Sequence, residues 1–469
     1  MWLDEAWSWS QATMSAGTLI RSTAAGDIHP PLYYVLLKAW TAVFGESPSG
    51  LRSLSVVASL LAMVLAWRLG SRYLERGPLT AALLWLAISP HWLFYAQEAR
   101  MYALTTAAVL GVCVAFRRWV ESAFTRNGAL AAFAISGGVA IYLHYFAGLM
   151  LAAAWAHFLT LAIRRSRNPG GASPMRRPML AWLVANGAIG AAYLPWLPTA
   201  VTQISRGQAW RDPVAPSALP GYAAQLVRDW FLGYYGTDAG GGPLATVAAA
   251  AALLVAAVGI GGLIALLFEN GRHEPELFLV WACFLPPIVG LAALPATGYM
   301  LLSRYVSFVL PLLLIGIARG WSALRLDRRL VVAALGVGAL ASLPATAAYY
   351  ADPVHDSDVR PIVAYLDAHV ARDGREQRAA VLVAPGYMTF CTKYESRSRG
   401  LAYRRVEEKV GLWPAIAAAA RAVPPEGIWV IVDRRWTGFD RLRFDSRLRE
   451  VDVPGGHPES LRLFRVQGR

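Results

Sequence analysis

Residues 244–268 read LATVAAAAALLVAAVGIGGLIALLF and contain no Asp, Glu, Lys or Arg. A helix needs roughly 17–25 apolar residues to cross a hydrocarbon core, so this stretch predicts a membrane span. Nine further stretches share its character: 54–70, 78–94, 101–116, 129–143, 147–163, 179–198, 277–297, 305–320 and 330–348. The pair at 129–143 and 147–163 is separated only by a short turn around LHYFA. The chain has 469 residues, of which 56% are hydrophobic and 16% charged. A soluble domain carries about 25% charged residues. Eighteen Trp and nineteen Tyr fit a protein with two membrane–water interfaces. The expected fold class is a polytopic α-helical membrane protein with about ten spans.

The net charge is +14, which taken alone suggests nucleic-acid binding. Its placement argues otherwise. If residues 1–53 lie outside the cytoplasm, fifteen arginines fall in the inner loops and five in the outer connections after the first span. That bias follows the positive-inside rule and makes the arginine clusters topology determinants, with no nucleic-acid partner. Three segments then share the outer face: residues 1–53, the loop 199–243, and the tail 351–469. Residues 54–350 form the helical membrane domain. In the tail, strand-like AVLVAP (380–385) and GIWVIVD (427–433) alternate with helix-like VRPIVAYLDAHV (359–370). This predicts a small α/β domain. Cys113, Cys283 and Cys391 have neither disulfide nor metal spacing. Ten spans with both ends outside lead us to expect an eleventh span upstream of the acidic pair near the start.

That pair, Asp4 and Glu5, sits in LDEAWSWS (3–10). An extended segment would point the two carboxylates to opposite sides; a helical cap is the alternative. Downstream comes DIHPPLYY (27–34). The two prolines fit a helix entry, and Asp27 fits a residue satisfying free N–H groups there. Tyr33, Tyr34, Trp40 and Phe44 suit a helix lying in the interface, which would hold Asp27 and His29 at the membrane surface near Asp4 and Glu5. Arg100, flanked by Glu98 and Tyr102, and Arg304 each stand at an outer span entry. Charge there is costly and often functional, although snorkelling accounts for it too. Arg52 stands at the mouth of the first span and also fits snorkelling. His144 and Tyr145 occupy an outer turn and are pocket candidates. Trp196 and Trp210 are expected as interface anchors. Asp4, Asp27 and His29 together have the oxygen and nitrogen donors for a divalent cation; no metal is required by the pattern.

These segments carry a resemblance. The acidic pair followed by DIHPPLYY resembles the first outer loop of the protein O-mannosyltransferase and aminoarabinose-transferase superfamily. These are glycosyltransferase family 39-like enzymes of GT-C fold. SPHWLFYAQEARMYAL (89–104), LHYFAGL (143–149), YLPWLP (193–198), SRYVSFVLPLLL (303–314) and YYADPVHDSDVRPIVAYL (349–366) resemble later segments of its bacterial branch, in order. Family members have a span before the acidic pair. The resemblance covers residues 1 to roughly 370.

It implies an integral-membrane, inverting transferase of a sugar from a polyprenyl-phosphate donor to a hydroxyl of a protein, lipid or glycan. It also implies a bacterial cytoplasmic membrane, with the site and the tail domain on the outer side. A hydroxyl is a poor nucleophile at neutral pH and needs a carboxylate base, a role the resemblance assigns to Asp4, with Glu5 beside it. A leaving phosphate needs fixed cations; Arg suits it by its planar fork. Arg100, Arg304 and Arg52 are the candidates, with Asp27, His29 and Tyr102 as further donor-binding residues and Glu98, His144 and Tyr145 as pocket residues. The alternatives are an inactive or scaffold homologue, or a lipid or polysaccharide transporter. No inverted repeat supports the transporter.

Overall fold

The computed structural model describes residues 3–167, 175–206, 214–233, 243–268, 274–297, 301–351, 359–371, 379–384, 386–396, 403–406, 411–433, 439, 445–453 and 461–467. The chain separates into two compact units. One is residues 15–352; the other combines residues 1–14 with 353–469. The acidic pair therefore belongs to the unit that holds the tail, and residues 15–53 belong to the helical unit. The sequence had suggested a single segment 1–53.

The helical unit begins with α2 (Ala16–Gly26) and α3 (Leu32–Phe44), after α1 (Leu3–Ala12) of the other unit. The Ser15 side chain caps α2, accepting from the Thr18 N–H. Then come α4 (Pro48–Gly70), α5 (Arg76–Ile88), α6 (Pro90–Ala96), α7 (Tyr102–Glu121), α8 (Asn127–Leu143) and α9 (Gly148–Arg167). They are followed by α10 (Arg176–Tyr193), α11 (Leu197–Arg206), α12 (Leu219–Leu232), α13 (Pro243–Ala265), α14 (Glu274–Thr297), α15 (Val309–Ala323), α16 (Arg328–Ala341) and α17 (Leu343–Ala351).

Each of the ten expected spans lies in helix, but the count of full spans is lower. Among the described residues six helices, starting at Pro48, Tyr102, Tyr145, Ala245, Glu274 and Arg328, are long and apolar enough to cross a membrane; counting each bent pair as one span brings the total to eight. The bends are at prolines. α5 and α6 meet at 63° across Ser89–Pro90. Ser89 is extended (φ −63°, ψ 129°), the conformation a following proline imposes. α10 and α11 meet at 74° in a segment carrying Pro195 and Pro198. α8 and α15 hold the other two expected stretches and are shorter, at 17 and 15 residues. Residues 144–147 do separate α8 from α9, through a single 3₁₀ turn at Tyr145–Ala147.

The core of this unit is aromatic on one side and fine-grained on the other. Trp119 and Trp182 stack with ring centres 5.6 Å apart, and Phe116, Phe133 and Phe158 close around Trp182. Near the end of α7, buried Arg117 forms an ion pair with Glu274 of α14, which also meets His157 of α9. Between α13 and α15 there is no room for side chains. A Cβ on Gly320 would lie 1.7 Å from the Gly259 carbonyl oxygen, and one on Gly262 would lie 2.4 Å from the Gly320 carbonyl oxygen. Small residues let membrane helices approach this closely.

The other unit holds α1, α18 (Arg360–Leu366), α19 (Thr389–Glu395), α20 (Leu412–Ala419) and a five-stranded sheet. The strands are β1 (Ala380–Ala384), β2 (Tyr403–Arg405), β3 (Ile428–Asp433), β4 (Leu448–Val451) and β5 (Leu461–Val466), in the order β2-β1-β3-β5-β4. β1 runs parallel to both β2 and β3, and β5 is antiparallel to β3 and β4. β1 and β3 are buried along their whole length, as expected of parallel strands covered on both faces. α1 packs on α19, with Trp7 edge-on to Phe390 at 4.8 Å and Trp9 edge-on to Tyr394 at 5.3 Å.

Replacing Gly320 by Leu is expected to lower the melting temperature of the detergent-solubilised protein by several degrees, whereas Gly261→Leu, where no neighbour lies within 4 Å, leaves it unchanged. A thermal scan by intrinsic Trp fluorescence checks this pair.

Candidate active site

The helical unit gathers most of the candidate site side chains where α2 ends, α3 begins and α6 breaks into α7. Asp27 follows the last residue of α2. Its Oδ1 accepts from the backbone N–H groups of Ile28 at 2.6 Å and His29 at 3.1 Å. That is a local Asx-type turn, and it aims the carboxylate along the incoming chain. His29 Nδ1 lies 2.9 Å from the same oxygen. Oδ2 accepts from the Tyr34 hydroxyl at 2.6 Å, and Tyr34 in turn accepts from Arg100 Nη1 at 3.1 Å. Arg100 Nη2 is 3.4 Å from His29 Nδ1. Because the shorter contact is to a carboxylate, Nδ1 carries the proton and donates to Asp27.

The cluster is dry. Arg100 is 4% exposed, His29 5%, Glu98 3% and Tyr34 0%. Burial by itself would raise the Asp27 carboxyl. The hydrogen bond and charge of His29, the charge of Arg100 and the Tyr34 hydroxyl outweigh it and hold the group well below the usual carboxylate range.

Arg100 is aimed by its backbone. The Arg100 N–H donates to the Glu98 carbonyl at 2.7 Å, and Ser55 of α4 donates to the carbonyls of Glu98 at 2.6 Å and Arg100 at 3.3 Å. The break after α6 is thereby tied to the first full span. Arg52 lies one turn before Ser55 on α4 and is half-buried.

A second wall is made of rings. His144 ends α8, and its Nδ1 accepts from the Phe146 N–H at 3.2 Å. The ring centre lies 5.3 Å from His29, 6.1 Å from Tyr102 and 5.2 Å from Tyr305. Tyr305 is also 6.1 Å from His29. Arg304 precedes it in the turn Ser303–Val306, half-buried, with its guanidinium 5.7 Å from the Tyr305 ring. Asp27, His29, Arg100, Tyr102, Arg304 and His144, far apart in sequence, thus converge in one region with Glu98 beside them.

Other expected positions fall elsewhere. Tyr145 turns away from the cluster: its hydroxyl bonds to Gln203 and receives the Trp196 indole N–H at 3.0 Å, while Gln203 donates to the Thr23 carbonyl at 2.9 Å. Tyr145 therefore braces α11 against α2. Trp196, expected at an interface, is 6% exposed. Trp210 lies outside the described residues. α3 only half fits an interfacial helix: Trp40 and Phe44 stack at 4.2 Å and Phe44 is exposed, but Tyr33 and Tyr34 are buried. Asp4 and Glu5 lie in the first turn of α1, so the acidic pair is helical rather than extended, with Asp4 half-buried and Glu5 buried. Among the described residues no three His, Cys, Asp or Glu side chains are grouped to hold a metal ion, and both Asp27 oxygens already accept hydrogen bonds. Sequence reasoning missed Tyr34 and Tyr305 as site residues. The adjacent HPP and SR motifs marked their neighbourhood, but nothing marked the hydroxyl that bridges Asp27 to Arg100.

Residues 28–172 match the model of the dolichyl-phosphate-mannose-protein mannosyltransferase family. No curated protein matches the chain in sequence. Among solved structures, ArnT from Cupriavidus metallidurans bound to undecaprenyl phosphate is similar at 15% identity and a TM-score of 0.55, over 98% of this chain and 93% of that one. The apo oligosaccharyltransferase of Archaeoglobus fulgidus is similar at 10% identity and a TM-score of 0.55, over 92% of this chain. A complex of the same archaeal enzyme, AglB, with an inhibitory peptide and a dolichol-phosphate gives 13% identity and a TM-score of 0.52. The chain spans 65% of the length of the archaeal enzyme. The chain thus shares the fold of these transferase structures, and residues 28–172 match that one family model.

Proposed function

We propose that this protein is a polyprenyl-phosphate-sugar glycosyltransferase that moves its sugar, with inversion, to an acceptor hydroxyl on the outer face of a bacterial cytoplasmic membrane. The observation that carries the proposal is the buried Arg100–Tyr34–Asp27–His29 chain of hydrogen bonds, set beside Arg304 in a GT-C membrane fold.

Two arginines and a histidine suit a lipid-linked phosphate. Arg100 is pre-oriented by Tyr34 and by the Ser55-braced turn, so little reorganisation is needed when negative charge builds on the leaving oxygen. Arg304 supplies a second guanidinium beside the Tyr305 ring. His29 donates a hydrogen bond from Nδ1 to Asp27. Asp27, held ionised, balances the charge of Arg100 rather than taking up a proton, which makes it a poor general base. That role falls to Asp4 of α1, with Glu5 beside it: a carboxylate must take the acceptor's proton as the glycosidic bond forms at the anomeric carbon and the phosphate leaves. The ArnT and AglB structures contain undecaprenyl phosphate and dolichol-phosphate respectively, and their shared fold supports a donor of that chemistry here.

Transfer measured in membranes with a panel of polyprenyl-phosphate sugars tests the proposal. Asp4→Asn is expected to abolish transfer while leaving donor binding intact. Arg100→Ala is expected to reduce donor turnover by about 10²-fold or more. Full activity in Asp4→Asn would move the base elsewhere, and absence of transfer from every donor in the panel would overturn the proposed donor class.

Asp27 gives a separate pH signature. Its folded-state value is depressed, so its contribution to stability is complete above the unfolded carboxyl value of about 3.9 and is lost as pH falls towards the folded value. Asp27→Asn, which removes a buried negative charge facing His29 and Arg100, is expected to cost about 3 kcal/mol at pH 7. Equilibrium unfolding should show that gap constant from pH 8 to 5 and closing below about pH 4.

A further inference from the structure

Arg304 sits in a single turn, Ser303–Val306, between α14 and α15, and such a turn cannot aim a guanidinium by itself. Something must hold it. Ser303 Oγ donates to Asp229 Oδ2 at 3.0 Å. At the other end, Ser307 Oγ donates to the Arg304 carbonyl at 2.9 Å and lies 3.1 Å from His91 Nε2. The contacts form a chain: Asp229 to Ser303, through Arg304 to Ser307, and on to His91.

Asp229 is itself placed with care. It lies in the last turn of α12, and the Gly233 N–H that caps this helix donates to the Asp229 carbonyl at 3.0 Å. Gly233 adopts φ +74° and packs so tightly on Pro90 that a Cβ would lie 2.9 Å from the proline Cβ. Ser89 Oγ donates to the Trp230 carbonyl at 3.3 Å. These contacts seat the end of α12 on the start of α6. The Asp229 side chain is 3% exposed, and its Oδ1 has no hydrogen bond among the described residues. Arg228 Nη2, 3.7 Å from Oδ1 and itself 42% exposed, is too distant for one. A buried carboxyl held by one hydrogen bond and one long ion pair is costly to keep, and a merely structural contact at this position could be made by an apolar side chain.

We propose that Asp229 is a positioning residue that clamps the Ser303–Val306 turn, with His91 as its second anchor, so that Arg304 is presented to the donor phosphate. The proposal rests on the donor chemistry proposed above, but only for its kinetic half. The test compares Asp229→Leu and Ser303→Ala, which remove the clamp from either side, with Asp229→Asn, which keeps an acceptor for Ser303. The full-length detergent-solubilised protein is used, and each variant is first shown to elute as a monodisperse species.

Amide hydrogen exchange at residues 303–307 reads the clamp independently of activity. Asp229→Leu and Ser303→Ala are expected to speed it by tenfold or more, and Asp229→Asn to leave it near wild type. Donor kinetics read the consequence: Asp229→Leu and Ser303→Ala are expected to raise the donor KM about tenfold with kcat within threefold. A loss of folded protein would instead lower kcat at constant KM. Unchanged exchange in both clamp-breaking variants would overturn the proposal whatever the activity. Faster exchange with an unchanged donor KM would overturn the link to Arg304. A wild type that transfers no sugar would refute the donor chemistry, and exchange alone would then decide the clamp.

Discussion

A guanidinium with 4% of its surface exposed survives inside an apolar protein only if acceptors and an opposite charge surround it. Arg100 meets this constraint through Tyr34 and Asp27, and much else follows from doing so. The carboxylate must arrive from the end of α2, so α2 and α3 turn back on the spans at HPP. The tyrosine must come from the buried side of α3, which pulls that helix out of a purely interfacial role. The arginine must come from the break between α6 and α7, which Ser55 lashes to α4.

Prolines make this arrangement affordable. An unbroken helix from 76 to 121 would bury every backbone group and offer none of them to a site. Pro90 ends α5 at Ser89 with a 63° bend, and the second break, after α6, leaves carbonyls at residues 98 and 100 that Ser55 satisfies. Non-helical backbone at membrane depth is tolerated where protein covers it, and here the cover is α3, α4 and the ring wall of His144 and Tyr305. The same logic applies at Ser303–Val306, where two serines and a histidine replace helical partners.

Much of this was legible in sequence. The runs without charge marked the helices, the arginine bias suggested their direction, and AVLVAP and GIWVIVD marked two central strands of the tail. Charged residues at span entries singled out Arg100 and Arg304, and DIHPP singled out Asp27 and His29, because in such a setting a charge has few neutral explanations. Tyr34, Tyr305 and Asp229 were harder to see. A tyrosine beside other aromatics looks like an interface residue, and an aspartate in a polar loop looks solvated. Their roles depend on neighbours 66 and 74 residues away.

The sequence by itself determined which segments are helical and apolar, where prolines break them, that a small α/β domain follows, and which charges stand at the ends of apolar runs. Those properties are local: they depend on runs, periods and the missing N–H of proline. Only the tertiary structure decided which charges meet. It put Tyr34 between Asp27 and Arg100, turned Tyr145 away to Gln203, and grouped the acidic pair of α1 with the unit that holds the tail. Hydrogen bonds between distant segments depend on distances of a few tenths of an ångström, and these are fixed by how whole helices pack.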